Sequence, residues 1–245
     1  MEFTLLGAVF VAMVPLYVTL YWEARRGNAA SCSKNLWDVA LTAAIVGVFA
    51  GRVAAMIGDG VNPITHPADL IIVRGGVATG PAAVAALATV MWIGRHELWG
   101  VLDGLAAAAL AGLGGWHAGC VVRDACLGTP SDLPWALAQE GSTVTRHPVE
   151  LYAALILFSG AALIALWRMR GRPAPGVPAG LALALAALTR LIAEPMRPTL
   201  GGGPTLWYWF GLVLGLAVTA WAWNGRNDSA GARPAATTRI AHESD

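Results

Sequence analysis

Gly112-Leu113-Gly114-Gly115-Trp116-His117-Ala118-Gly119-Cys120 closes one long apolar run, and Arg146-His147-Pro148-Val149-Glu150-Leu151-Tyr152 opens the next. Between them lie Arg123, Asp124, Cys126, Gly128, Thr129, Pro130, Ser131, Asp132 and Pro134, a polar and turn-forming passage. Hydrocarbon offers backbone N–H and C=O groups no partner. Irregular chain beside a bilayer is therefore tolerated only where protein or a water-filled cavity surrounds it. This junction marks a helical membrane protein and places its first candidate site between residues 112 and 152.

The rest of the chain agrees. Of its 245 residues 56% are hydrophobic and only 13% charged, where a soluble domain carries roughly a quarter. Apolar segments of spanning length run at Phe3–Trp22, Leu36–Met56, Val77–Ile93, Val101–Val122, Leu151–Trp167, Ala179–Pro195 and Leu206–Trp223. Each approaches the ~20 residues that a bilayer core requires, the third least well because Gly80 and Pro81 interrupt its start. The first is longer than a signal-peptide core and no basic residue precedes it, so it reads as a retained helix. The expected fold is an all-α integral membrane protein, a bundle of about seven transmembrane helices over residues 1–223. Residues 224–245 are polar and read as a disordered cytoplasmic tail.

A net charge of +1 gives no hint of nucleic-acid binding, and no nucleic-acid partner is expected. The distribution of the basic residues is more telling. Arg25, Arg26, Lys34, Arg95, Arg168, Arg170, Arg172, Arg226, Arg233 and Arg239 fall on one side of the expected membrane, and Arg74, Arg123, Arg146 and Arg197 on the other. The positive-inside rule then places the N-terminus outside and the C-terminus in the cytoplasm. The 112–152 junction faces outwards, with the connections 58–80 and 190–204. Arginines on that face run against the rule and call for a function.

Arg190, Glu194 and Arg197 stand at helical spacing on one face. They suit either a structural ion network or a clamp for an anionic headgroup, because guanidinium forks match phosphate oxygens bidentately. Arg74 with Gly75 and Gly76 could extend such a clamp, glycine allowing close approach of backbone amides to an anion. His147 precedes Pro148 at a helix start, and Glu150 in the first turn complements the helix dipole. His147 and His117 are the candidate general bases. His117, Cys120, Cys126 and His147 carry zinc-ligand atoms, but their spacing follows no standard zinc pattern and no metal is expected. Asp38 and Asp103 read as caps or dipole partners at the starts of their own helices.

At these residues the chain resembles the prolipoprotein diacylglyceryl transferase family. Ala50-Gly51-Arg52 is similar to a Gly-Ala/Gly-Arg element of that family, and His66-Pro67-Ala68-Asp69 with Arg74-Gly75-Gly76-Val77 to its Asn-Pro and Glu-Gly-Gly-Met connection. Gly128-Thr129-Pro130-Ser131-Asp132-Leu133-Pro134-Trp135, then Arg146-His147-Pro148-Val149-Glu150-Leu151-Tyr152, follows its most specific block, and Arg190 to Arg197 its Arg-Phe-x-Val-Glu-Phe-x-Arg element. Four positions depart. Gly80 stands where the family has a histidine implicated in catalysis, His117 at an essential arginine, Cys120 at an asparagine and Ala125 at a glutamate. Arg123, further along, is the candidate replacement for that arginine.

The resemblance implies transfer of a diacylglyceryl group from phosphatidylglycerol to the lipobox cysteine of a preprolipoprotein signal peptide. It implies a multi-pass protein of the bacterial inner membrane with its active face outside, embedded in membrane lipids and needing no cofactor. His147, His117 and Arg190 become the expected catalytic residues. Arg52, Arg74, Gly75, Gly76, Arg123, Arg146, Glu194 and Arg197 become the expected headgroup-binding set. The departures leave a second expectation, a non-catalytic paralogue that binds anionic phospholipid or a lipoprotein partner.

Overall fold

Apolar helices of alternating direction make up the protein. The computed structural model describes residues 2–26, 32–67, 69, 77–123, 126–139, 141–171, 173–197 and 205–231. In chain order the helices are α1 (Glu2–Arg25), α2 (Leu36–Gly58), α3 (Thr79–Ile93), α4 (Leu98–Ala118), the one-turn α5 (Cys120–Arg123), α6 (Val149–Arg170), α7 (Val177–Ala193) and α8 (Thr205–Gly231). A short antiparallel pair, β1 (Leu137–Ala138) and β2 (Thr145–Arg146), lies between α5 and α6. A 3-10 turn, Glu194–Met196, follows α7.

Six of these helices are long and apolar enough to cross a membrane. The third expected segment forms α3 of 15 residues, about 22 Å at 1.5 Å per residue and short of a ~30 Å hydrocarbon core. The fourth segment does not run unbroken to Val122. Helix α4 ends at Ala118, Gly119 turns the chain, and α5 leaves at Cys120. At the far end α8 stays helical to Gly231, beyond the expected domain boundary at residue 223, and 232–245 lie outside the described residues.

Helix α4 is the axis of the bundle, packing against α1, α6 and α7. Lipid is as apolar as a leucine side chain, so helices in a bilayer associate mainly by close packing of small residues. Helix α4 meets that requirement with Gly112, Gly115 and Gly119, which face Leu16, Val11 and Ala8 of α1 in antiparallel order. A Cβ at Gly115 would overlap the Val11 carbonyl and lie 2.7 Å from Pro15 Cγ. The α2–α3 hairpin uses Gly47 and Gly51 against Ala82, and the α7–α8 hairpin sets Gly180 against Gly215 and Thr219. The core proper, Ala106, Ala107, Leu110, Leu157, Ala161 and Ile164 with neighbours, lies where α4, α6 and α7 meet.

Polar groups tie the end of the bundle opposite the candidate site. The sequence suggested that Asp103 caps or complements its own helix, but it lies beyond that helix's first turn. Its carboxylate accepts from the backbone N–H of Gly176 (2.7 Å) and Ala179 (3.0 Å), capping α7 from across the interface. Gly176 has φ +96°, a conformation that favours glycine. Arg168, counted above among cytoplasmic-side charges, is buried against Glu23 of α1 at 3.0 Å. Ser33 before α2 donates from its N–H to Glu97 before α4 at 2.7 Å. These contacts gather the C-termini of α1, α3 and α6 with the N-termini of α2, α4 and α7.

Two substitutions test this packing. Gly115→Leu forces α1 from α4 and should lower thermal stability in detergent by roughly 1–3 kcal/mol. Asp103→Ala removes the cap on α7 and should lower it by roughly 0.5–2 kcal/mol. An unchanged melting temperature in either variant would contradict the close approach assigned to that residue.

Candidate active site

The junction between α4 and α6 forms a layered scaffold rather than a free loop. Cys120 and Cys126 are joined by a disulfide, which returns the chain towards the bundle after α5. The sequence reading left these cysteines unpaired. They close a loop with a sequence separation of 6. From Cys126 onward the backbone bonds run in sequence. Gly128 N–H donates to the His147 carbonyl (2.8 Å), His147 N–H to that of Thr129 (3.0 Å), and Thr129 N–H to that of Met196 (2.8 Å). Residues 128 and 129 therefore lie between the strand leading into α6 and the turn after α7. A Cβ at Gly128 would overlap the Met196 carbonyl and Val149, so the layer closes only around glycine. Trp135 Nε1 donates to the Tyr152 hydroxyl at 2.7 Å and holds the hairpin on α6.

This scaffold aligns three segments on one carboxylate. Glu150, buried in the first turn of α6, has Oε2 2.5 Å from His117 Nδ1 in the last turn of α4. Its Oε1 lies 3.0 Å from Arg197 Nη2 in the turn after α7. The carboxylate is therefore shared between an imidazole and a guanidinium. Within α7 and its turn, Arg190 Nη2 lies 3.9 Å from Glu194 Oε2 and donates to the Tyr208 hydroxyl of α8 at 3.2 Å. The Arg190 guanidinium sits over the Tyr208 ring, 5.3 Å from its centroid. Both carboxylate oxygens of Glu194 are buried without a hydrogen-bond partner among the described residues.

The structure thus brings together His117 and Arg197 through Glu150, and joins Arg190 with Glu194. His147 belongs to the same scaffold through its backbone. Its Nδ1 is buried with no hydrogen-bond partner among the described residues, and its ring stands edge-on to Tyr152 with 6.3 Å between centroids. Arg146 Nη1 is committed to the Gly128 carbonyl at 3.1 Å. Arg52 is buried in α2, where its Nε donates to the Asp69 carbonyl at 3.0 Å. Arg74, Gly75 and Gly76 lie outside the described residues, as does the side chain of Arg123, whose backbone ends α5. Among the described residues no group of three or more His, Cys, Asp and Glu side chains could hold a metal ion.

Sequence reasoning missed two partners. Glu150 reads in sequence as a dipole-complementing residue of a helix start, whereas its main contacts come from the end of α4 and the turn after α7. Tyr208 carried no signal, since an aromatic residue at a helix start is ordinary at a membrane interface.

A chain with this helical architecture and this junction has recognisable relatives. The family model for prolipoprotein diacylglyceryl transferase matches residues 6–224. Proteins named phosphatidylglycerol–prolipoprotein diacylglyceryl transferase are similar to it in several bacteria. The protein from Wolbachia pipientis subsp. Culex pipiens is 28% identical over 213 residues, 81% of this chain and 79% of its own length. That from Bordetella avium is 25% identical over 223 residues, 83% of each chain. That from Methylobacillus flagellatus is 27% identical over 154 residues, 60% of this chain and 58% of the relative. With a match from the first helix into the last, the chain belongs to the prolipoprotein diacylglyceryl transferase family.

Proposed function

We propose that this protein transfers the diacylglyceryl group of phosphatidylglycerol to the thiol of a lipobox cysteine in a preprolipoprotein signal peptide. The observation that supports it most is the shared carboxylate of Glu150. It sets an imidazole, His117, and a guanidinium, Arg197, side by side at one end of an apolar bundle. The reaction needs a base and an anion-stabilising group, and these two residues can supply them. The thiol must lose a proton, and the leaving glycerol phosphate gains a negative charge that a guanidinium can stabilise. A cysteine thiol near its ordinary pKa needs only modest help from a base.

In this reading His147, His117 and Arg190 act on the reacting groups. Arg52, Arg74, Gly75, Gly76, Arg123, Arg146, Glu194 and Arg197 surround the headgroup. The helix order is consistent with seven crossings of the bacterial inner membrane, α3 included, with the N-terminus and the site outside. The Cys120–Cys126 disulfide supports that orientation, because disulfides persist in oxidising compartments and are rare in the cytoplasm. Residues beyond 231 then form a cytoplasmic tail.

A second reading, a paralogue that binds the anionic lipid without turning it over, is favoured by Gly80. It stands where the family motif has histidine, and apart from its chain neighbours and its own helix backbone no atom of the described residues lies within 4 Å of the place its Cβ would take. A transfer assay separates the two. Purified protein, phosphatidylglycerol vesicles and a lipobox peptide should yield peptide heavier by one diacylglyceryl group, and Arg190→Ala should lower the rate by at least about 100-fold without loss of expression. Lipid binding with no mass shift would select the paralogue. Full activity of the variant would remove Arg190 from the site.

Orientation has its own test. Cys32, the free cysteine before α2, lies at the end opposite the site, and burial pushes its thiol above the ordinary value. A membrane-impermeant maleimide should label it slowly, and only after the membrane is opened. Labelling in intact cells would reverse the topology.

A further inference from the structure

We propose that His117 is the general base of the transfer and that Glu150, braced by Arg197, is the positioning residue that aims it; this rests on the transferase reading above. Glu150 Oε2 takes the Nδ1 side of the imidazole at 2.5 Å while Arg197 holds Oε1 at 3.0 Å. With Nδ1–H donated to the carboxylate, the neutral ring carries its lone pair on Nε2. Glu150 comes from α6 and its brace Arg197 from the turn after α7, so the carboxylate that meets the ring is itself held in place. His117 and Glu150 are both buried, which strengthens the pair and limits competition from water. Once Nε2 gains a proton, the same carboxylate stabilises the imidazolium.

His147 has no such support. Its Nδ1 finds no partner among the described residues, and its backbone is committed to Gly128 and Thr129. Among the described residues no hydrogen bond at Nδ1 selects its tautomer.

In the step itself the lipobox thiol proton passes to His117 Nε2, and the sulfur electron pair forms a bond to the terminal glycerol carbon of the diacylglyceryl group. The bond from that carbon to the phosphate oxygen breaks, and its electron pair leaves on glycerol phosphate. The imidazolium then returns its proton to the leaving phosphate, which restores the base.

The experiment uses full-length protein in phosphatidylglycerol vesicles with a lipobox peptide, comparing wild type, His117→Arg, His117→Gln, Glu150→Gln and His147→Gln. His117→Arg keeps a cation on Glu150 but supplies no base at neutral pH. It and His117→Gln should lose at least about 100-fold in kcat with little change in KM for the peptide. Glu150→Gln keeps an acceptor without the charge and should fall between these and wild type, again in kcat rather than KM. Wild-type turnover by His117→Arg would make the residue a structural cation and overturn the proposal, as would a loss confined to His147→Gln. Diethyl pyrocarbonate gives a reading on the unmutated protein: inactivation should track modification of His117, and tracking of His147 alone would overturn the assignment. Absence of transfer by wild type would instead overturn the transferase reading, and the base assignment with it.

Discussion

The site depends on one buried carboxylate. Glu150 binds the end of α4 through His117 and the turn after α7 through Arg197, while standing in the first turn of α6. Removing one partner from such a group leaves a buried charge uncompensated, typically at several kcal/mol, so the three segments hold one another in place. The arrangement is also chemically directional. A carboxylate with an imidazole on one oxygen and a guanidinium on the other places a proton acceptor beside an anion-stabilising group. It does so where a hydrophobic bundle meets polar chain.

That convergence relies on helix packing that owes little to the hydrophobic effect. Gly112, Gly115 and Gly119 let α1 lie directly on α4, and Gly180 with Gly215 does the same for α7 and α8. Close approach keeps the ends of α4, α6 and α7 within reach of side chains such as histidine and arginine. At the opposite end, Asp103 on the N-terminus of α7 and Arg168 on Glu23 fix how far the helices slide past each other. One turn of slippage moves a residue by about 5.4 Å, enough to part His117 from Glu150.

The irregular chain between α4 and α6 is a structural layer in its own right. The disulfide returns it to the bundle, Gly128 lets it slip between Val149 and the Met196 carbonyl, and backbone bonds seat it on both neighbours. Each N–H satisfied there is one that lipid could not have satisfied. The same bonds carry Arg197 to Glu150, since Thr129 binds Met196 next to it.

The amino-acid sequence by itself determined the membrane architecture. Long apolar runs interrupted by polar connections admit few solutions in a bilayer, and unusual residues such as Gly128, His147 and Arg190 pointed to one end of the bundle as the candidate site. Family membership was legible in the same blocks. What sequence could not supply was pairing. Glu150 in a first turn reads as a dipole partner, Cys120 and Cys126 read as separate cysteines, and Asp103 reads as a cap on its own helix. Each found its partner on an element distant in sequence. Periodicity and spacing report which residues share a helix face, whereas the register of one helix against another is set by small-residue contacts spread along whole interfaces. Only the tertiary structure decides that register, and with it which carboxylate meets which histidine.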